Sequence, residues 1–132
     1  KNATIQFNNI IRDTALANGW AYVDANSVFN DIVTYGYELK RADGRGTGRR
    51  VTNAYLGGIF SLDGVHPSIT GHAIVANFFI DAINSTYGTT LVRTDEYAAS
   101  EGDSLYKKPY DPRKIINSWY GRAIQFIIEM FI

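Results

Sequence analysis

Asp63 and His66 stand three residues apart in Ser61-Leu62-Asp63-Gly64-Val65-His66-Pro67-Ser68, and no other stretch sets an acid and an imidazole in a fixed local relation. Residues at that spacing in a turn have Cα atoms within about 7 Å of each other. A short aspartate side chain can therefore reach one ring nitrogen. Such a bond selects the tautomer and leaves the second nitrogen to take a proton from a nucleophile. Gly64 admits the backbone angles of a tight loop. Pro67 stiffens the exit, and Ser68 suits the N-cap of the helix that follows. The same spacing also serves a purely structural hydrogen-bonded loop, so the turn alone does not separate catalysis from loop closure.

The residues around the turn carry more information. Asp63-Gly64-Val65-His66-Pro67, followed by Gly71-His72-Ala73 at a helix opening, closely resembles the last conserved block of the SGNH (GDSL-type) esterase and lipase superfamily. The resemblance runs from about residue 5 to about residue 90. It implies the C-terminal part of a three-layer α/β/α, flavodoxin-like domain, with Asp63 and His66 as two members of a Ser-His-Asp triad. It implies a small-molecule ester substrate, acyl or acetylated sugar, and no obligatory cofactor. Many relatives are exported, which favours a periplasmic or extracellular location. The family's serine block, and the glycine and asparagine of its oxyanion hole, normally lie upstream of residue 5. No matching Gly-x-Asn-Asp block occurs here.

With 132 residues the chain holds at most one domain. Apolar residues make up 45%, enough for a packed core. The formal net charge is zero, which gives no long-range attraction for nucleic acid or an anionic membrane. There is no cysteine, so disulfides and thiolate metal sites are excluded. No apolar run is long enough to span a bilayer. The chain opens at Lys1 almost directly into a helical pattern, and we expect it to be the tail of a longer polypeptide or a trimmed one.

The elements that must position the turn follow from periodicity. Residues 4–18 form an amphipathic helix with Phe7, Ile10, Ile11, Ala15 and Leu16 on its apolar stripe, stopped by Asn18-Gly19. Residues 20–24 read as a short strand, and Asn26-Ser27 as the cap of a brief helix over 28–33. This is the rhythm of a doubly wound α/β domain, which places functional residues at strand ends. Asp24 and Asn26 sit at such an end, although turn chemistry favours capping.

Residues 34–58 read as an irregular, solvated loop. Gly44, Gly46 and Gly48 look like a phosphate cradle but lack the strand and helix that a P-loop needs. Arg41, Arg45, Arg49 and Arg50 form a local basic cluster. A functional version of this loop covers the cleft, with Tyr35, Tyr37 and Tyr55 as its walls. Ile69 to about Tyr87 gives the clearest helix pattern, closed by Gly88. His72 lies in its first turn. It could join Asp63 and His66 around zinc, but a surface histidine is the simpler reading.

Residues 91–112 read as a linker. They contain Gly102-Asp103-Ser104-Leu105, the letters that name the GDSL family, but after the Asp-His block and without a preceding buried strand. Ser104 is thus the nucleophile only if the domain is rearranged, since triads are recognised by geometry and not chain order. Residues 113–132 read as a helix apolar on more than one face, which needs cover from the domain, an upstream half or a second subunit. If the sheet's first strands are absent, the open edge should associate with something or aggregate. Three functions remain open at this point: the Asp-x-x-His half of a serine ester hydrolase, a non-catalytic remnant acting as a binding or assembly module, and a rearranged esterase using Ser104.

Overall fold

The computed structural model describes residues 2–105; the apolar segment 113–132 lies outside the described residues. The architecture is mixed α and β. The elements run α1 (Asn2–Ala17), α2 (Ala25–Tyr35), β1 (Tyr37–Lys40), β2 (Gly46–Val51), α3 (Ile69–Tyr87) and α4 (Glu96–Gly102). None of these helices is long and apolar enough to cross a membrane.

The α3 helix starts and stops where its sequence dictates. The Ser68 hydroxyl accepts from the Gly71 amide at 3.0 Å and donates to the Gly58 carbonyl at 2.7 Å. Gly88 ends the helix in the left-handed region at φ 63°. Ala73, Ile74 and Asn77 are buried along one face. Ile74 joins Ile32 of α2, Leu39 and Val51 of the hairpin, and Ile59 in the core, with Phe29, Phe60 and Phe78 packed against them. The Phe29 and Phe60 rings stack with centroids 6.0 Å apart. The Ile59 carbonyl accepts from the Ser68 amide at 2.8 Å. A Cβ on Gly71 would stand 2.1 Å from that same oxygen. Glycine at 71 is therefore what lets α3 start directly against the segment leading into the Asp-His turn.

Residues 34–58 depart from the expected loop. β1 and β2 pair antiparallel, with Tyr37 opposite Val51 and Lys40 opposite Gly46, and a register irregularity between Glu38 and Lys40. The three glycines are used here. Gly44 turns the chain at φ 83°. Gly46 leaves room for Glu38, whose Oε1 would lie 2.4 Å from a Cβ there. The same oxygen accepts from the Gly48 amide at 2.7 Å. The arginines are paired locally. Arg45 binds Asp43, Arg49 binds Glu101, and Arg41 lies 3.5 Å from Asp95. The guanidiniums of Arg41 and Arg49 also stand 4.1 and 4.6 Å from the centre of the Tyr97 ring. Arg50 donates to the Tyr35 carbonyl.

The linker expected over 91–112 likewise contains a helix. Asp95 caps α4 by accepting from the Ala98 amide at 2.8 Å. Its buried residues are polar: Glu96 and Ser100. Fully buried Glu96 accepts from the Tyr37 hydroxyl at 3.0 Å, the Lys40 amide at 2.8 Å and Asn77 Nδ2 at 2.8 Å. Arg93 lies 3.5 Å from the same carboxylate and also pairs with Asp81. Burial, and then the Glu96 charge, push the Tyr37 phenol well above its ordinary range. Tyr37 is thus a member of a buried network and not a cleft wall, whereas Tyr35 and Tyr55 are exposed.

The strand expected over 20–24 does not form: the segment carries no regular structure and pairs with no strand among the described residues. Its bonds go elsewhere. The Trp20 amide donates to the Ala15 carbonyl and the Ala21 amide to the Tyr87 hydroxyl. Asp24 accepts from the Ser27 amide at 3.0 Å and caps an α2 longer than the brief helix expected, so Asp24 takes the capping role in place of Asn26-Ser27. Among the described side chains of α1 only Ala15 is buried; Phe7, Ile10, Ile11 and Leu16 are exposed. An open cleft of about 530 Å³ lies between α1, residues 20–23 and Phe79.

Glu96 ties the hairpin, α3 and α4 together. Replacing it strands the hydroxyl, amide and guanidinium donors that converge on it. Glu96→Ala is expected to lower unfolding free energy by about 3–5 kcal/mol, the usual cost of breaking a buried ion pair, read from the urea midpoint.

Candidate active site

The Asp-His turn is a short loop closed at its base. Phe60 and Pro67 form an isolated antiparallel bridge. One step inward, the Ser61 amide donates to the His66 carbonyl at 2.7 Å, and the Ser61 carbonyl accepts from the Gly64 amide at 3.0 Å. Gly64 takes φ 69°, the left-handed angle for which the sequence supplies a glycine.

Inside this loop the Asp63 carboxylate gathers four donors. Its Oδ1 accepts from the Ser61 hydroxyl at 2.7 Å, the Val65 amide at 2.9 Å and the His66 amide at 2.9 Å. Its Oδ2 lies 2.6 Å from His66 Nδ1. The structure therefore brings together the two residues that the sequence singled out. The His66 side chain is 78% exposed and that of Asp63 50%. With Nδ1 engaged by a carboxylate, the neutral ring carries its proton on Nδ1. Nε2 has no hydrogen-bond partner among the described residues and is left as an acceptor.

The His66 ring first, then the Val65 amide, the Ser61 hydroxyl and the His66 amide, hold the Asp63 carboxyl far below the ordinary carboxylate range. The acid of the pair thus keeps its charge below the pH at which an ordinary carboxylate takes up a proton.

The other candidates are placed differently. Ser104 is exposed after α4 and makes no hydrogen bond with His66. Its neighbour Asp103 is buried and ties the end of α4 to the first turn of α3, accepting from the Thr70 amide at 2.9 Å and the Thr70 hydroxyl at 2.8 Å. Burial pushes the Asp103 carboxyl up, but these bonds and one from the Leu105 amide outweigh it and leave it below the usual value. Gly102-Asp103-Ser104-Leu105 is therefore a helix end joined to α3 through its aspartate. His72 is exposed on α3, with its amide bonded to the Ser68 carbonyl. Among the described residues no group of three His, Asp or Glu side chains is gathered for a metal ion. The sequence assigned Ser61 no role; the available signal was a hydroxyl two residues before the aspartate.

The depressed Asp63 pKa fixes the sign of its pH effect. Its contribution to stability is complete above the unfolded value of about 3.9 and is lost as pH falls through the lower folded value. Carboxyl ¹³C shifts across an acid titration should show the Asp63 midpoint well below the other exposed aspartates; an ordinary midpoint would mean that the four-donor arrangement does not persist in solution. No protein-family model, curated protein or solved structure matches this chain.

Proposed function

We propose that Asp63 and His66 are the acid and base of a serine ester hydrolase of the SGNH type, and that residues 1–90 belong to its three-layer α/β/α domain. The observation that carries this reading is the 2.6 Å contact between Asp63 Oδ2 and His66 Nδ1, on an exposed imidazole whose Nε2 has no partner among the described residues. A histidine held in this way can act in both directions. As a serine oxygen attacks the ester carbonyl carbon, Nε2 takes the hydroxyl proton. The tetrahedral intermediate collapses, and Nε2 returns that proton to the departing alkoxide. An acyl-serine and an alcohol remain. Nε2 then takes a proton from water, the hydroxide attacks the acyl carbon, and the serine leaves with the proton. Asp63 stays ionised throughout and stabilises the imidazolium in each half.

The nucleophile of this reading lies outside residues 1–132, with the oxyanion donors, each of which is worth about 3 kcal/mol in such enzymes. The exposed apolar face of α1, the segment 20–24 that pairs with no strand among the described residues, and the open cleft beside them support a further layer of chain packing there. The same surface supports the alternative of a non-catalytic binding or assembly module. A rearranged enzyme using Ser104 is the third reading; the bonds from Thr70 to Asp103 weigh against it, because they hold that serine's neighbour at a helix end.

Turnover of a short-chain p-nitrophenyl ester separates the three. In the polypeptide that carries this sequence, His66→Ala should lower turnover by roughly 10⁴-fold or more. The 132-residue chain alone should show none above its His66→Ala background. Turnover by the chain alone that is lost on both His66→Ala and Ser104→Ala would move the nucleophile to Ser104. Turnover absent everywhere, or indifferent to His66, would leave the module reading.

A further inference from the structure

We propose that Ser61 is a positioning residue for the acid–base pair, its hydroxyl locking the Asp63 carboxylate in the orientation that keeps the His66 proton on Nδ1. The proposal rests on the hydrolase reading for its functional meaning. Its geometric content stands on the loop alone.

All three polar groups of Ser61 are used within the loop. Its amide closes the base on the His66 carbonyl, its carbonyl takes the Gly64 amide, and its hydroxyl reaches Asp63 Oδ1 at 2.7 Å. The two backbone donors to Oδ1, from Val65 and His66, both lie on the C-terminal side of Asp63. Ser61 is the one donor from the N-terminal side. The carboxylate is thus gripped from both sides while Oδ2 faces the imidazole. This matters because the pair is exposed. With half of the Asp63 side chain and most of the His66 side chain in solvent, water competes for both Oδ2 and Nδ1–H. A carboxylate free to rotate would exchange the ring for water much of the time. One held by three donors on the opposite oxygen is already oriented when substrate arrives, and no reorganisation is left for the reaction step.

The same geometry excludes Ser61 as the nucleophile. Its hydroxyl proton points to Asp63, an acceptor that stays ionised, and not to His66 Nε2. A methyl group at position 61 would remove the donor and keep the two backbone bonds that close the loop. A threonine would keep the donor.

The test reads the ring tautomer. In a His72→Gln background only one imidazole remains, and ¹⁵N shifts of Nδ1 and Nε2 at a pH where the ring is neutral give the fraction protonated on Nδ1. The unaltered loop should be predominantly Nδ1–H. Ser61→Ala should raise the Nε2–H fraction several-fold, and Ser61→Thr should restore the starting ratio, with thermal unfolding midpoints followed in parallel. An unchanged tautomer ratio in a folded Ser61→Ala chain would overturn the proposal. If Ser61→Ala does not fold, Ser61→Cys, of similar size but a weak donor, must show the same shift or the proposal fails. In the ester-hydrolysing polypeptide, Ser61→Ala should lower kcat about tenfold, the rate equivalent of one hydrogen bond to a charged group, with KM unchanged. Should ester turnover prove indifferent to His66, the hydrolase reading falls, and the tautomer ratio still decides the role of Ser61.

Discussion

Four hydrogen bonds converge on the Asp63 carboxylate, and they are what orient the acid of the candidate site. The loop that holds it is six residues long, from Ser61 to His66, and lies in solvent. An exposed aspartate and histidine would ordinarily form a weak, screened pair. Here the backbone supplies the restraint. Gly64 permits the left-handed turn, the Val65 and His66 amides point back at Oδ1, and the Ser61–His66 bond closes the ring. The direction of the Asp63 pKa shift expresses the same fact: a carboxylate surrounded by donors keeps its charge.

The loop is useful only if its base is fixed, and packing does that. Ile59 is buried in the core, its carbonyl takes the Ser68 amide, and Gly71 lies against that oxygen. The turn therefore leaves the core at one strand-like segment and returns at a capped helix. Farther away, Glu96 gathers Tyr37, Lys40, Asn77 and Arg93, joining hairpin, α3 and α4 through polar contacts. Asp103 adds a second polar clasp at the start of α3. The apolar core is small, and these buried carboxylates knit elements that apolar contact alone leaves loosely joined.

Where burial follows apolar periodicity, the sequence was legible. α3 appears with the cap, the length and the closing glycine that its pattern implied; α1 forms with only its ends shifted, but of its apolar stripe Ala15 alone is buried. The Asp63–His66 contact followed from spacing and side-chain length. The hairpin was hidden because its strands carry almost no apolar alternation: Leu39 and Val51 are buried among arginines, glycines and a glutamate. The α4 helix was hidden for a related reason. It is seven residues long, and what it buries is Glu96 and Ser100, held by hydrogen bonds that no hydrophobic pattern reports. Residues 20–24 carry strand chemistry and pair with no strand among the described residues, since pairing is a property of the partner as much as of the segment. Ser61 escaped notice because a hydroxyl's partner depends on where a loop folds back.

A fluorophosphonate probe tests most directly whether His66, held by Asp63, activates a serine, since it reacts with a serine whose proton a base can accept. The polypeptide that carries this sequence should be labelled at a single serine outside residues 1–132 on peptide mapping, and the label should disappear with His66→Ala. A serine labelled equally well in the His66→Ala protein, or no labelled serine at all, would contradict it.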